Sequence, residues 1–132
     1  MSPEVAVGTA LYQQLEPALG AVKFYDYVPA SGTPTPLVAL GVIGTRRSRE
    51  YRCGRVWEVG FRLHVMSKAP GREEAWGLIQ TLRETLDGVT LTLADPYAAE
   101  TPLKEMRSGD MNDRLQAVAM SFVDFEVTVS TT

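Results

Sequence analysis

Residues 56–66, VWEVGFRLHVM, alternate strictly, with Trp57, Val59, Phe61, Leu63 and Val65 on one side and Glu58, Arg62 and His64 on the other. A period of two is what a pleated strand imposes when one sheet face is buried and the other is wet. The stretch is therefore a strand with a core-facing stripe. N-terminal to it, Leu37–Ile43 (LVALGVI) is apolar on both faces and predicts a second strand in a central position. Gly44–Arg55 then connects the two as a long antiparallel hairpin whose arms extend into the stretch. Upstream, Pro29, Pro34, Pro36 and Gly32 exclude regular structure from PASGTPTP, while VKFYDYV (22–28) has the β-branched and aromatic content of a short strand.

C-terminal to the central strand the period changes. From Arg72 to Leu86, Ala75, Ile79, Leu82 and Leu86 recur at helical spacing. Glu73 and Glu74 lie in the first turn, where the helix dipole favours anions, and Asp87-Gly88 closes the helix. A strand is expected at Val89–Ala94, an irregular stretch from Asp95 to Asp113, and a long final strand from Leu115 to Val129. In that strand Val123, Phe125, Val127 and Val129 oppose Asp124, Glu126 and Thr128. Its first half is apolar on both faces through Val118, Met120 and Phe122, which calls for cover by a helix or by another subunit. At the other end of the chain Leu11, Leu15 and Leu19 predict a helix over Thr9–Leu19, with Pro17 disturbing or ending it and Gly20 as its stop. The order is α-β-β-β-α-β-β. This is an α+β layout, a mainly antiparallel or mixed sheet of about five strands carrying two helices.

With 132 residues the chain fits one domain, residues 1–132, with a single core. Hydrophobic residues at 45% and charged residues at 22% are those of a folded globular chain. No apolar run approaches the roughly 20 residues that span a bilayer, and MSPEVAVGTALYQQ lacks the basic start and apolar middle of a signal peptide. The sole cysteine, Cys53, excludes an intrachain disulfide and suits a reducing cytoplasm. A net charge of -3 exerts no global pull toward nucleic acid or anionic lipid.

Catalytic constellations are wanting. His64 is the single histidine, so the chain supplies one imidazole and one thiol, short of the clustered ligands zinc requires. Cys53 lies among arginines that would favour a thiolate, and with His64 it could form a nucleophile and base, but no hydrolase signature surrounds it. Neither phosphate-binding glycine motif occurs. Asp95, Glu100, Asp110 and Asp113 fall in loop-like sequence as solvated carboxylates. No catalytic residue, cofactor or metal is expected.

One segment departs from the plain composition. In GTRRSREYRCGR (44–55), Arg46, Arg47, Arg49, Arg52 and Arg55 are opposed within the segment only by Glu50. Guanidinium forks pair bidentately with carboxylate and phosphate, so the segment reads as a projecting loop that meets an acidic partner surface or phosphates, or else as a solvated hairpin tip. Only Tyr51 and Trp57 are near enough to stack on bases, which argues against specific nucleic-acid reading.

Taken in order, these stretches resemble the tail-completion, or tail-terminator, family of tailed phages and gene transfer agents. VKFYDYVPASGTPTPLVALG is similar to the family's opening, and WEVGFRLHVMSKAPGREEAWGLIQTLRETLDG to its central strand, S-x-x-x-G-R-x-E-A turn and helix. LTL (91–93) falls at its post-helix strand, and FVDFEVTV (122–129) resembles its closing strand. The resemblance covers roughly residues 9–130, and the order and spacing of the motifs carry it. Two loops depart from the pattern, the basic segment 46–55 and the longer stretch Pro96–Asn112. The resemblance implies a structural virion protein made in the host cytoplasm. It also implies a homohexameric ring at the head-proximal end of the tail, capping the tail tube and joining it to head and neck. Its implied partners are other copies of itself, the major tail tube protein and a neck or head-completion protein, with DNA passing through the lumen without sequence-specific binding and with no membrane. A neck or tail-tube subunit, or a small ligand-binding or enzymatic domain, are the competing readings. Candidate contact residues are Arg46, Arg47, Arg49, Arg52 and Arg55 in the hairpin, and Val118, Met120 and Phe122 in the final strand.

Overall fold

The structure is a computed structural model that describes residues 2–20, 22–25, 36–47, 55–67, 73–110 and 119–131. Its elements are α1 (Pro3–Leu19), β1 (Lys23–Tyr25), β2 (Leu37–Arg47), β3 (Arg55–Ser67), α2 (Glu73–Leu86), β4 (Tyr97–Ala99), β5 (Lys104–Asp110) and β6 (Ala119–Thr131). The α+β class and its order are as the sequence led us to expect, with three strands following α2.

Helix α1 starts six residues earlier than Thr9. Ser2 is its N-cap, accepting a hydrogen bond from the Val5 amide at 3.2 Å, with Pro3 in the first turn and Glu4 behind it. A hydroxyl acceptor, a proline with no amide to lose and an acid together make a strong helix start. Pro17 does not end the helix. Leu15 and Leu19 on either side of it are buried in the core, and the chain leaves the helix only at Gly20, whose φ is 61°. Lost this close to the end, one hydrogen bond weighs less than two buried leucines. Helix α2 ends as expected, at Gly88 with φ 78°.

The sheet order is β1-β2-β3-β6, with β4 and β5 both paired to the far edge of β6. β1 runs parallel to β2, so the sheet is mixed, and every other pair is antiparallel. The β2–β3 hairpin arms reach Arg47 and Arg55. Its tip, residues 48–54, lies outside the described residues, as do Asp26–Val28 of the first expected strand, residues 29–35 of the proline loop and 115–118 of the last strand.

One expected strand is corrected. Val89–Ala94 forms no ladder: Val89 accepts from the Leu103 amide at 2.8 Å, and Leu91 drops into the core. Its alternation reports burial of Leu91 and partial burial of Leu93, not pairing. The two additional strands, β4 and β5, lie within the stretch expected to be irregular.

Both helices cover one sheet face. Val7, Leu11 and Leu15 of α1 and Ala75, Ile79, Leu82 and Leu86 of α2 join Val59, Phe61, Leu63 and Val65 of β3 and Val123, Phe125, Val127 and Val129 of β6 in one cluster. Phe61 and Phe125 face each other in the β3–β6 register with ring centroids 5.9 Å apart. Truncating so central a ring leaves a cavity, and Phe125→Ala should destabilise the fold by about 3–5 kcal/mol in urea unfolding. A loss below about 1 kcal/mol would mean that the two helices do not share this core.

Candidate interaction surface

The helices leave the second face of the sheet to the residues opposite the core stripe: Glu58, Gly60, Arg62, His64 and Met66 of β3, and Met120, Phe122, Asp124, Glu126 and Thr128 of β6. Charges pair across its strands. Arg46 on β2 is in register with Glu58 and hydrogen-bonds it through Nε at 2.9 Å and through a second guanidinium nitrogen. Arg62, in register with Asp124, makes a bidentate pair with it at 2.7 and 3.1 Å. Each guanidinium is held above its ordinary pKa first by the carboxylate it bonds, Glu58 for Arg46 and Asp124 for Arg62.

Phe122, one of the apolar residues at the start of β6, has cover from within the chain. It is only 7% exposed and lies on the face opposite the core stripe of Val123 and Phe125. The Arg62 guanidinium sits 4.1 Å and the Arg107 guanidinium 5.2 Å from its ring centroid. Cations over an aromatic face are attracted to its quadrupole, and the arginine stems shed water from the ring. Gly109, in register with Phe122, leaves space for the ring: a Cβ there would lie 3.2 Å from it. His64 also lies on this face, against Gly41, where a Cβ would come within 2.1 Å of the imidazole Nε2.

The sites expected from sequence thus separate. Arg46 projects at the hairpin end of β2, its side chain 78% exposed. Arg47 and Arg55 are placed by backbone only, at the ends of β2 and β3, while Arg49, Arg52 and Cys53 fall outside the described residues. Met120, half-buried, and Phe122 lie at the opposite end of the same face, in register with Met66 and His64; Val118 is outside the described residues. Sequence reading missed that Glu58 opposes Arg46, although Glu58 was already assigned to the wet face of its strand. It also missed Arg62, Asp124 and Arg107, which no local spacing ties together. Among the described residues no three His, Cys, Asp or Glu side chains come together as a metal site, and no helix is long and apolar enough to cross a membrane.

The edges of the sheet differ from its face. Beyond Ala39, β2 has no partner on its β1 side among the described residues. Beside it the first turns of α1 leave an apolar groove lined by Val5, Tyr12, Phe24, Leu40 and Ile43, with Val5 55% and Tyr12 45% exposed. Thr45 closes its end by donating to Glu4 at 2.9 Å. At the other edge, β5 presents Lys104, Arg107 and the 52% exposed Met106.

Residues 6–130 match the model of the family described as tail completion protein gp17. The chain belongs to the tail completion protein gp17 family. It is accordingly a structural tail protein, located in the virion of a phage or phage-like particle. Among solved structures, a chain described as "Virion of native gene transfer agent (GTA) particle" has the same fold, with a TM-score of 0.82 at 20% identity over 98% of this chain and 99% of that one. No curated protein matches the sequence. Of the two expected departures from the family pattern, the stretch after α2 supplies β4 and β5 at the β6 edge of the sheet in this tail completion fold, and the tip of the basic hairpin lies outside the described residues.

Burial depresses the pKa of His64 below the usual imidazole range, and the Arg62 charge adds to this while Asp124 opposes it. The unfolded chain therefore binds a proton more readily than the folded one. Stability linked to His64 is fully present above the unfolded imidazole pKa of about 6.5 and is lost as pH falls through the folded value. His64→Gln should flatten the fall in unfolding free energy between about pH 7 and about pH 5. An unchanged slope would place the imidazole in solvent.

Proposed function

We propose that this tail protein is the terminator of its tail, a subunit that closes into a homo-oligomeric ring of six copies, caps the head-proximal end of the tail tube and joins it to the neck. The observation that carries the reading is the family match across residues 6–130. The fold is compatible with it. A sheet with helices on one face only, and with an edge strand that lacks a partner among the described residues, leaves surfaces through which like subunits can associate. The role is structural and not enzymatic. The major tail tube protein lies below the ring, a neck or head-completion protein above it, and DNA crosses its lumen without being read.

In this reading the hairpin carrying Arg46, Arg47, Arg49, Arg52 and Arg55 contacts a neighbouring subunit or the adjoining ring, and Val118, Met120 and Phe122 border a subunit contact. Arginine suits such a role because its fork pairs with carboxylates in fixed geometry.

Purified protein mixed with tail tubes should give closed single rings seated at one end of each tube in electron micrographs. Growth into long tubes of this chain, or binding along the tube wall, would contradict a terminator. Arg47→Glu combined with Arg49→Glu and Arg52→Glu should weaken attachment of tails to heads while the thermal unfolding midpoint stays unchanged. Attachment at the level of the unsubstituted protein would remove the hairpin from the contact. Salt-sensitive DNA binding by the isolated ring, abolished by the same substitutions, would instead turn these arginines toward the lumen.

A further inference from the structure

Among the described residues, the β2 edge beyond Ala39 and the β5 edge carry complementary features at matching heights. Gly44 of β2 is in register with Gly60 of β3, Gly60 with Glu126 of β6, and Glu126 with Lys104 of β5. Lys104 on one edge is therefore level with Gly44 on the other, beside the Thr45–Glu4 hydrogen bond. One step toward the hairpin tip, Arg46 is in register with Glu58 and Glu58 with Thr128, whose carbonyl accepts from the Glu100 amide at 2.8 Å. Exposed Glu100 on one edge is thus level with exposed Arg46 on the other. A base faces an acid at one height and an acid faces a base at the next.

Strand direction fits as well. Three antiparallel pairings separate β2 from β5, so the two edge strands run in opposite senses. A rotation about an axis along the strands brings the β5 edge of one copy beside the β2 edge of the next in antiparallel orientation, without a change of height. Such a contact is heterologous, and it closes into a ring when the rotation is a whole fraction of a turn.

The surface relief agrees. Met106 lies on the uncovered face, where it lines a trough with Gly60 and Arg62, and it sits at the irregularity between Glu105 and Arg107. At that height β2 has Ile43 and the irregular Gly41–Val42 stretch, and Gly44 follows one residue further on, level with Lys104. Gly41 makes room for His64, but among the described residues Gly44 has no such reason: a Cβ there would meet nothing within 4 Å, and its φ is not positive. A strand glycine marks a bulge or a place where another backbone comes close; Gly44 lies just past the irregularity between Leu40 and Ile43 and leaves its outer side open to a neighbouring backbone.

We infer that the edge of β2 receives the β4–β5 edge of a second copy of this chain, with Arg46 meeting Glu100, Glu4 meeting Lys104, and the β5 backbone at Lys104 passing close to Gly44. The inference rests on the ring reading above and names the surface that forms the ring. The Glu4 carboxylate is held below the usual range first by a backbone hydrogen bond and then by Thr45 and Ser2, which keeps the acid ionised for its partner.

The test uses full-length chains in which Cys53→Ser removes the native thiol. One chain carries Thr45→Cys and the other Pro102→Cys, and they are mixed with a short bismaleimide at a concentration where sedimentation shows assembly. A docked edge raises the local concentration of one thiol at the other, so the 45–102 cross-link should form at least about tenfold faster than a control between Thr45→Cys and Gln80→Cys. Glu100→Arg on the Pro102→Cys chain should remove most of that advantage, and adding Arg46→Glu on the Thr45→Cys chain should restore it. Equal rates for the two pairs in protein that still assembles would overturn this interface and leave the ring reading standing. Equal rates in protein that stays monomeric, with and without tail tubes, would overturn both. Gly44→Val, which has room in the monomer, should abolish assembly with the unfolding midpoint preserved; unimpaired assembly of that variant would also sink the inference.

Discussion

The register between β3 and β6 is the constraint on which the rest depends. The two strands pair without interruption from Arg55–Thr131 to Ser67–Ala119. Their side-chain period is two, so one choice of register places Val59, Phe61, Leu63, Val65, Val123, Phe125, Val127 and Val129 on the same side. A slip by a single residue would bring Arg62, Asp124 and Glu126 under the helices. The buried residues of α1 and α2, Val7, Leu11, Leu15, Ala75, Ile79, Leu82 and Leu86, are matched to that stripe, and the charged residues of the two strands are left on the reverse face.

That division also explains how the reverse face stays uncovered. Its charges are neutralised across strands by Arg46–Glu58 and Arg62–Asp124, and the Phe122 ring is roofed by Arg62 and Arg107. Exposed ion pairs contribute little to stability, on the order of 0–1 kcal/mol each. Their effect is on solubility and specificity. The surface presents paired charges to water in a free subunit, and Arg46, bonded to Glu58, and Glu100, which accepts from Ser130, stay exposed.

Much of the fold was legible because it is periodic. Strand β3 and the second half of β6 announce themselves by alternation, and α2 by Ala75, Ile79, Leu82 and Leu86. What escaped was set by contacts distant in sequence. β5, KEMRSGD, has no apolar alternation at all; it is a strand because Lys104–Asp110 finds the edge of β6. Val89–Ala94 alternates well but has no strand to pair with, and its leucines serve the core instead. The start of α1 was readable in Ser2-Pro3-Glu4, a capping signal that a search for apolar spacing alone passes over. The interaction surface was half legible. Clustering of arginines pointed to the hairpin, and two-sided apolarity pointed to Met120 and Phe122. The cross-strand partners Glu58 and Asp124 and the level pairing of Arg46 with Glu100 require the register, which no single segment contains.

The account makes the sheet edges, and not the helix surfaces, the place where this tail protein meets its own copies. Amide hydrogen exchange compared between dissociated subunits and the assembled tail reads this directly. Assembly should protect the amides of residues 40–47 and 99–107 together and leave the outer face of α2 around Gln80 and Glu84 unchanged. Protection of α2 with residues 40–47 still exchanging as in the free subunit would contradict it.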